Sequence, residues 1–177
     1  PIVLLENTKG AFAGGRWIFA NVVTDEGFWS IGGAALLSEL AAYTKRGVTE
    51  IWFKPNYACY DPGDRAALTV QLQTLANRTG EVSENESWTF HLQVAKAGQA
   101  APIWMTEFTM NASRELSFKK VNIPIDIEAG YYTAVCKAVA NTGETRTFNQ
   151  GFWGYDAELL REGTPMSCDR DYFWKDG

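Results

Sequence analysis

Histidine is nearly absent from this chain: His91 is the single one in 177 residues. A Ser/His or Cys/His nucleophile therefore has one candidate base, and no motif surrounds it. GxSxG, HExxH and the phosphate-binding GxxxxGK[ST] are all missing. Cysteine is scarce as well. Cys59, Cys136 and Cys168 lie far apart, form no CxxC pair, and with one histidine do not make a zinc site of the usual spacing. The odd count allows at most one internal disulfide, and Cys136, on an alternating strand, reads as a small buried apolar residue. Long apolar runs are lacking too. No uncharged stretch is long enough to span a bilayer, and one of the longest, 27–38, is broken by glycines and serines, so no membrane association is expected. Positive charge is not in excess: 16 Lys and Arg against 21 Asp and Glu give a net charge of −5. The basic residues are scattered, which argues against nucleic acid as a partner, since phosphate binding needs a positive face. A basic amino-terminal region and a cleavage site are also missing, so any targeting peptide is expected to have been removed or to lie outside this sequence. Gly14-Gly15 and Gly32-Gly33 do not follow the strand-to-helix spacing of a dinucleotide loop and read as turns. No cofactor and no metal are expected.

What is present is β-pattern. From residue 49 onward, strict alternation of apolar and polar residues recurs in short runs separated by turn residues. After the turn YDPGD (60–64), Leu68, Val70 and Leu72 point one way while Thr69, Gln71 and Gln73 point the other. In the next run Trp88, Phe90, Leu92 and Val94 fall on the core side, leaving His91 on the solvent side. Further strands are predicted over 103–109, 115–123, 131–140 and 145–153, with a turn at Asn141, Thr142 and Gly143. Every gap in this half is too short for a crossover helix, which excludes a parallel α/β sheet and favours an antiparallel β-sandwich.

The first 48 residues differ. Leu36, Leu37, Leu40 and Ala41 stand at helical spacing within 33–46, with Gly47 at the stop, so one short helix is predicted there. Strands are predicted over 2–5 and 17–23. The expected organisation is an appended or integral segment over 1–48, a sandwich core over 49–156, and a linker leading into a following domain over 157–177.

Residues 60–156 resemble the immunoglobulin-like modules that precede the catalytic barrel in many bacterial glycoside hydrolases. The resemblance rests on the PGD turn before a strand, on EAGYYTAV (128–135) and on GETRTFNQGFWGYD (143–156). Within EAGYYTAV, Tyr132 is similar to the tyrosine corner whose hydroxyl ties a strand to the loop before it. The end, DYFWKDG (171–177), is similar to the first strand of those catalytic barrels. The resemblance covers the last two thirds of the chain. It implies an immunoglobulin-like fold, an accessory and non-catalytic role, a secreted or cell-surface bacterial protein, and the catalytic domain of the same parent protein as a partner.

Glycoside cleavage needs two carboxylates across a bond. No motif fixes such a pair, and Glu107 and Asp126 are expected at the surface. Aromatic content is what stands out, 14% with seven tryptophans, because sugar rings stack their apolar faces on indole and phenol. Trp52 and Trp88, in apolar runs, are expected in the core. Trp17 after Gly-Gly-Arg, Trp29 in a glycine-flanked loop, and Trp104 after the loop with Pro102 are the candidates to bind polysaccharide or oligosaccharide. Tyr57 and Tyr60, flanking Cys59 beside Asn56 and Asp61, complete the set. Trp153 and Tyr155 are expected at an interface with the following domain. The sequons at Asn77, Asn85 and Asn111 would matter only in a eukaryotic source. The resulting expectation is a carbohydrate-binding module, with a structural spacer that binds no sugar as the alternative.

Overall fold

The computed structural model describes residues 2–61, 63–75 and 86–155. Along the chain run β1 (Ile2–Glu6), a 3-10 turn (Gly10–Phe12), β2 (Arg16–Ala20), α1 (Glu26–Ser30) and α2 (Gly33–Lys45). Then follow β3 (Val48–Pro55), β4 (Cys59–Tyr60), β5 (Arg65–Leu75), β6 (Ser87–Lys96), β7 (Trp104–Asn111), β8 (Ser117–Asp126), β9 (Gly130–Ala140) and β10 (Thr145–Gly154). The protein is mainly β with antiparallel sheets, an arrangement that fits a β-sandwich. The chain divides into two compact units: Pro1–Ile51 with Leu72–Glu86 and Ala112–Ser117, and Trp52–Gln71 with Ser87–Asn111 and Phe118–Gly177.

In the first unit, β1 and β2 form an antiparallel pair. The Arg16 side chain is its anchor, because it is buried yet fully engaged. Its guanidinium bonds Glu6 at 2.7 Å and lies 4.2 Å from the centre of the Tyr43 ring on α2. Asp25 caps α1 by accepting the Phe28 N–H at 2.8 Å, the usual way a carboxylate satisfies an open helix start. Gly32, at φ +97°, turns the chain from α1 into α2 in a conformation that disfavours a side chain.

The second unit carries a five-stranded sheet in the order β4-β10-β9-β6-β7, and strands β3-β5-β8 form a separate three-stranded sheet. β4 pairs with β10 in parallel, Cys59 and Tyr60 against Trp153 and Gly154, and so joins strands far apart in sequence. The inward residues of β6 and β9 are matched by size. Trp88, Phe90, Leu92 and Val94 stand opposite Ala140, Ala138, Cys136 and Ala134, all of them buried. Large residues thus fill the space that small ones leave, without widening the sheet. Phe53, Leu68, Val70 and Ile123 are among the buried residues of the three-stranded sheet in this unit.

Trp52 corrects a sequence expectation. It is 46% exposed, while Ile51 and Phe53 are buried, because strand parity turns Trp52 to the opposite face from its two neighbours. Trp88 is fully buried, with the Arg146 guanidinium 5.3 Å from the centre of its ring. Cys59 is disulfide-bonded, and Cys136 is a buried free thiol. Among the described residues, no helix is long and apolar enough to cross a membrane.

Candidate functional site

Alternation that buries Trp88 to Val94 on β6, Tyr132 to Ala140 on β9, and Phe152 and Gly154 on β10 at every second residue turns the odd residues of these strands outward. Register then lines those odd residues into rows across the sheet. Thr147, Lys137, His91 and Glu107 make one row, and Asn149, Val135, Gln93 and Met105 the next. The third row is low, with Gly151, Thr133 and Ala95. The fourth is aromatic, Trp153 beside Tyr131.

The aromatic pair is a surface platform. Trp153 is 51% exposed and Tyr131 37% exposed, with ring centres 4.8 Å apart and planes tilted by 55°. Gly151 is what lets Tyr131 lie down. A Cβ at Gly151 would run into the Tyr131 ring and hydroxyl, so the missing side chain makes room for the phenol to cover the neighbouring strand, as aromatic residues do over strand glycines. The tyrosine therefore leans from its own row over the low third row.

Beyond the low row lies a cleft of about 530 Å³, whose lining includes Gln93, Met105, Glu107, Lys137 and Thr147. His91 Nδ1 sits 2.9 Å from Glu107 Oε2, which occupies that carboxylate with a neighbouring donor. Thr89 and Thr109 hydroxyls meet at 3.2 Å on the same face. Amide, hydroxyl and ammonium groups beside an apolar platform form the mixture that sugar sites use: stacking for the ring faces and hydrogen bonds for the hydroxyls. Among the described residues, no group of three or more His, Cys, Asp or Glu side chains could hold a metal ion.

The residues picked out in the sequence fall elsewhere. Trp17 and Trp29 lie in the first unit, exposed at 45% and 49%. Each has an aromatic neighbour of its own, Phe12 at 5.5 Å and Phe28 at 5.0 Å. Trp29 stands on α1 and not in a loop. Trp104 is half-buried on β7, on the face shared with buried Val94, its register partner. Tyr57 and Tyr60 come together edge to face at 5.7 Å, but their roles separate. Tyr57 is 38% exposed. Tyr60 corrects the expectation of a sugar contact: it is 1% exposed, and its hydroxyl accepts from the Tyr57 N–H at 3.2 Å and donates to the Ala67 carbonyl at 3.3 Å. Burial raises its phenol above the ordinary value, partly offset by these backbone bonds. Tyr60 braces the loop from inside.

Tyr131 and Trp153 were not assigned to a sugar site in the sequence. A signal for the pair was present, since the two residues lie equally far on either side of Thr142, the centre of the β9–β10 turn. The sequons at Asn77 and Asn85 and the segment 157–177 lie outside the described residues.

No family model and no curated protein matches the chain. Among solved structures it is similar to the sporulation control protein Spo0M from Bacillus subtilis, with 13% sequence identity and a TM-score of 0.38, over 65% of this chain and 52% of that one. The chain thus spans about half the length of that protein, and a likeness at this level carries no functional argument.

Proposed function

We propose that this chain is a non-catalytic carbohydrate-binding module, an immunoglobulin-like accessory domain of a secreted glycoside hydrolase, and that it holds polysaccharide on the outer face of its five-stranded sheet. The observation that carries the reading is the exposed Tyr131–Trp153 platform, which shares its sheet face with a cleft that offers Gln93, Lys137 and Thr147 as hydrogen-bonding groups. Three features support the immunoglobulin-like assignment. The order β10-β9-β6 in one sheet and β3-β5-β8 in the other corresponds to strands G-F-C and A-B-E. Trp88 is buried on the strand that corresponds to C. Tyr132, at the start of β9, accepts from the Glu128 N–H at 3.1 Å and donates to the Glu128 carbonyl at 3.0 Å, which is the bonding of a tyrosine corner. A disulfide at Cys59 supports an oxidising, extracytoplasmic setting. The role is then to raise the concentration of a catalytic domain at its substrate.

The test is affinity gel electrophoresis against a panel of soluble plant and microbial polysaccharides. Retardation by at least one glycan is expected. Trp153→Ala should weaken it about 5- to 150-fold, taking roughly 1–3 kcal/mol for one stacking contact from bases on aromatics. Trp29→Ala should leave it unchanged. Retardation by no glycan would replace this reading with a structural spacer. That alternative is favoured by one observation: Ile2, Val3, Leu4, Leu5 and Phe19 are each at least 42% exposed, an apolar surface that suits packing on a neighbouring domain.

A further inference from the structure

The charge distribution on the outer sheet face narrows the ligand class, an inference that rests on the sugar-binding reading above. Lys137 is exposed at the middle of that face, and among the described residues it makes no ion pair. Its register partners are Thr147 on one side and His91 on the other, and along its own strand the outward neighbours are Val135 and Val139. The one carboxylate in that row, Glu107, stands two strands away, about 10 Å by strand spacing, and is engaged with His91. A lysine set among hydroxyl, amide and aliphatic neighbours, in a protein of net charge −5, supplies a local positive point above a concave, hydrogen-bonding floor.

We propose that the cleft takes a carboxylate-bearing saccharide: a uronic acid unit pairs its carboxylate with Lys137 while another sugar of the same chain stacks on Tyr131 and Trp153. Lys137 and Tyr131 lie six residues apart on β9, so the two contacts are separated by roughly 20 Å along the strand. One monosaccharide cannot reach both, and the ligand is a chain running along β9 and β10. Two rows lie between them, Asn149, Val135, Gln93 and Met105, then the low row Gly151, Thr133 and Ala95, over whose Gly151 end the Tyr131 ring lies, so that the chain passes across that ring on its way to the cleft. Charge on the face is sparse: one lysine, one histidine and one glutamate line the cleft. That selects a polymer with a single carboxylate at the contact over a dense polyanion, which would need several cations and would be repelled by the acidic protein.

The experiment measures affinity for a glucuronoxylan and a highly esterified pectin, each beside its carboxyl-reduced counterpart, and for alginate as the dense polyanion expected not to be favoured, with wild type, Lys137→Gln, Lys137→Arg and Trp153→Ala. At least one acidic polymer should bind about fivefold tighter than its reduced form, the size of one exposed ion pair. That preference should shrink in 0.5 M salt, vanish in Lys137→Gln and survive in Lys137→Arg. Trp153→Ala should weaken the acidic and reduced forms equally. If the reduced forms bind as well as the acidic ones, or the preference persists in Lys137→Gln, the uronate assignment is overturned and sugar binding stands. If none of these polymers and no neutral glycan is retained, both fall together.

Discussion

Two adjacent tyrosines on β9 have opposite surroundings, which makes them a controlled experiment. Tyr132 is 2% exposed, stacks on Phe152 with ring centres 5.2 Å apart, and ties both the N–H and the carbonyl of Glu128 through its hydroxyl. Tyr132→Phe keeps the stacking and removes only the oxygen. Two hydrogen bonds are lost, each worth about 1 kcal/mol net. Glu128 is exposed, so water recovers part of the loss, and the expected cost is about 1–2 kcal/mol. For a chain of this size that lowers Tm by roughly 2–8 °C. Tyr131→Phe is the companion variant: its hydroxyl makes no hydrogen bond among the described residues, so the expected change is under about 0.5 kcal/mol. Thermal melts of the three proteins at one pH decide the matter. A Tyr132→Phe protein melting with wild type, or a Tyr131→Phe protein that falls as far, would refute the assignment of the corner to Tyr132.

Gly151→Ala places a methyl group where the Tyr131 ring lies. Because that ring is at the surface it can swing away, so the fold should survive while glycan affinity drops about tenfold, the order of one lost stacking contact; unchanged retardation in affinity electrophoresis would show that the ring's position is irrelevant. Burial pushes the Cys136 thiol up to about 12, so at pH 8 it should resist a disulfide reagent in native protein and react once denaturant is added. Below its ordinary value, near 9, the thiol is protonated folded and unfolded, and stability is unaffected. As pH climbs from about 9 towards 12 the unfolded thiol ionises and the folded one does not, so stability falls. A urea midpoint that declines over this range no more steeply in wild type than in Cys136→Ala would contradict it.

Strand β6 could be read from the sequence because Trp88, Phe90, Leu92 and Val94 alternate with Thr89, His91 and Gln93, and β9 and β10 because the Asn141-Thr142-Gly143 turn fixes their hairpin. The run Ile51-Trp52-Phe53 could not be read the same way: three large apolar residues in succession carry no parity, and only pairing within the sheet turns Trp52 outward. Helix α1 is five residues long and holds a glycine, too short for a helical period to emerge, which is why Trp29 was expected in a loop. The aromatic platform was hidden for a different reason. Tyr131 and Trp153 are 22 residues apart in sequence and meet only through register, whereas Trp17, Trp29 and Trp104 attract notice by local composition alone. Tyr60 looked available because polar residues surround it, yet its hydroxyl is consumed by backbone groups that loop closure brings to it.

Size matching between β6 and β9 confines the fold's demands to every second residue. The remaining positions on the same strands answer only to whatever lies outside. Odd positions such as Gln93, Val135, Lys137, Thr147 and Asn149 can therefore be exchanged without any change to the interior, which makes this face open to library selection for a chosen ligand. The same interleaving sets a sharp limit on length variation. One residue inserted within β9 would exchange the two sets beyond it, sending Lys137 inward and Cys136 to solvent, so relatives of this domain should differ by substitution along these strands and by insertion only at their turns.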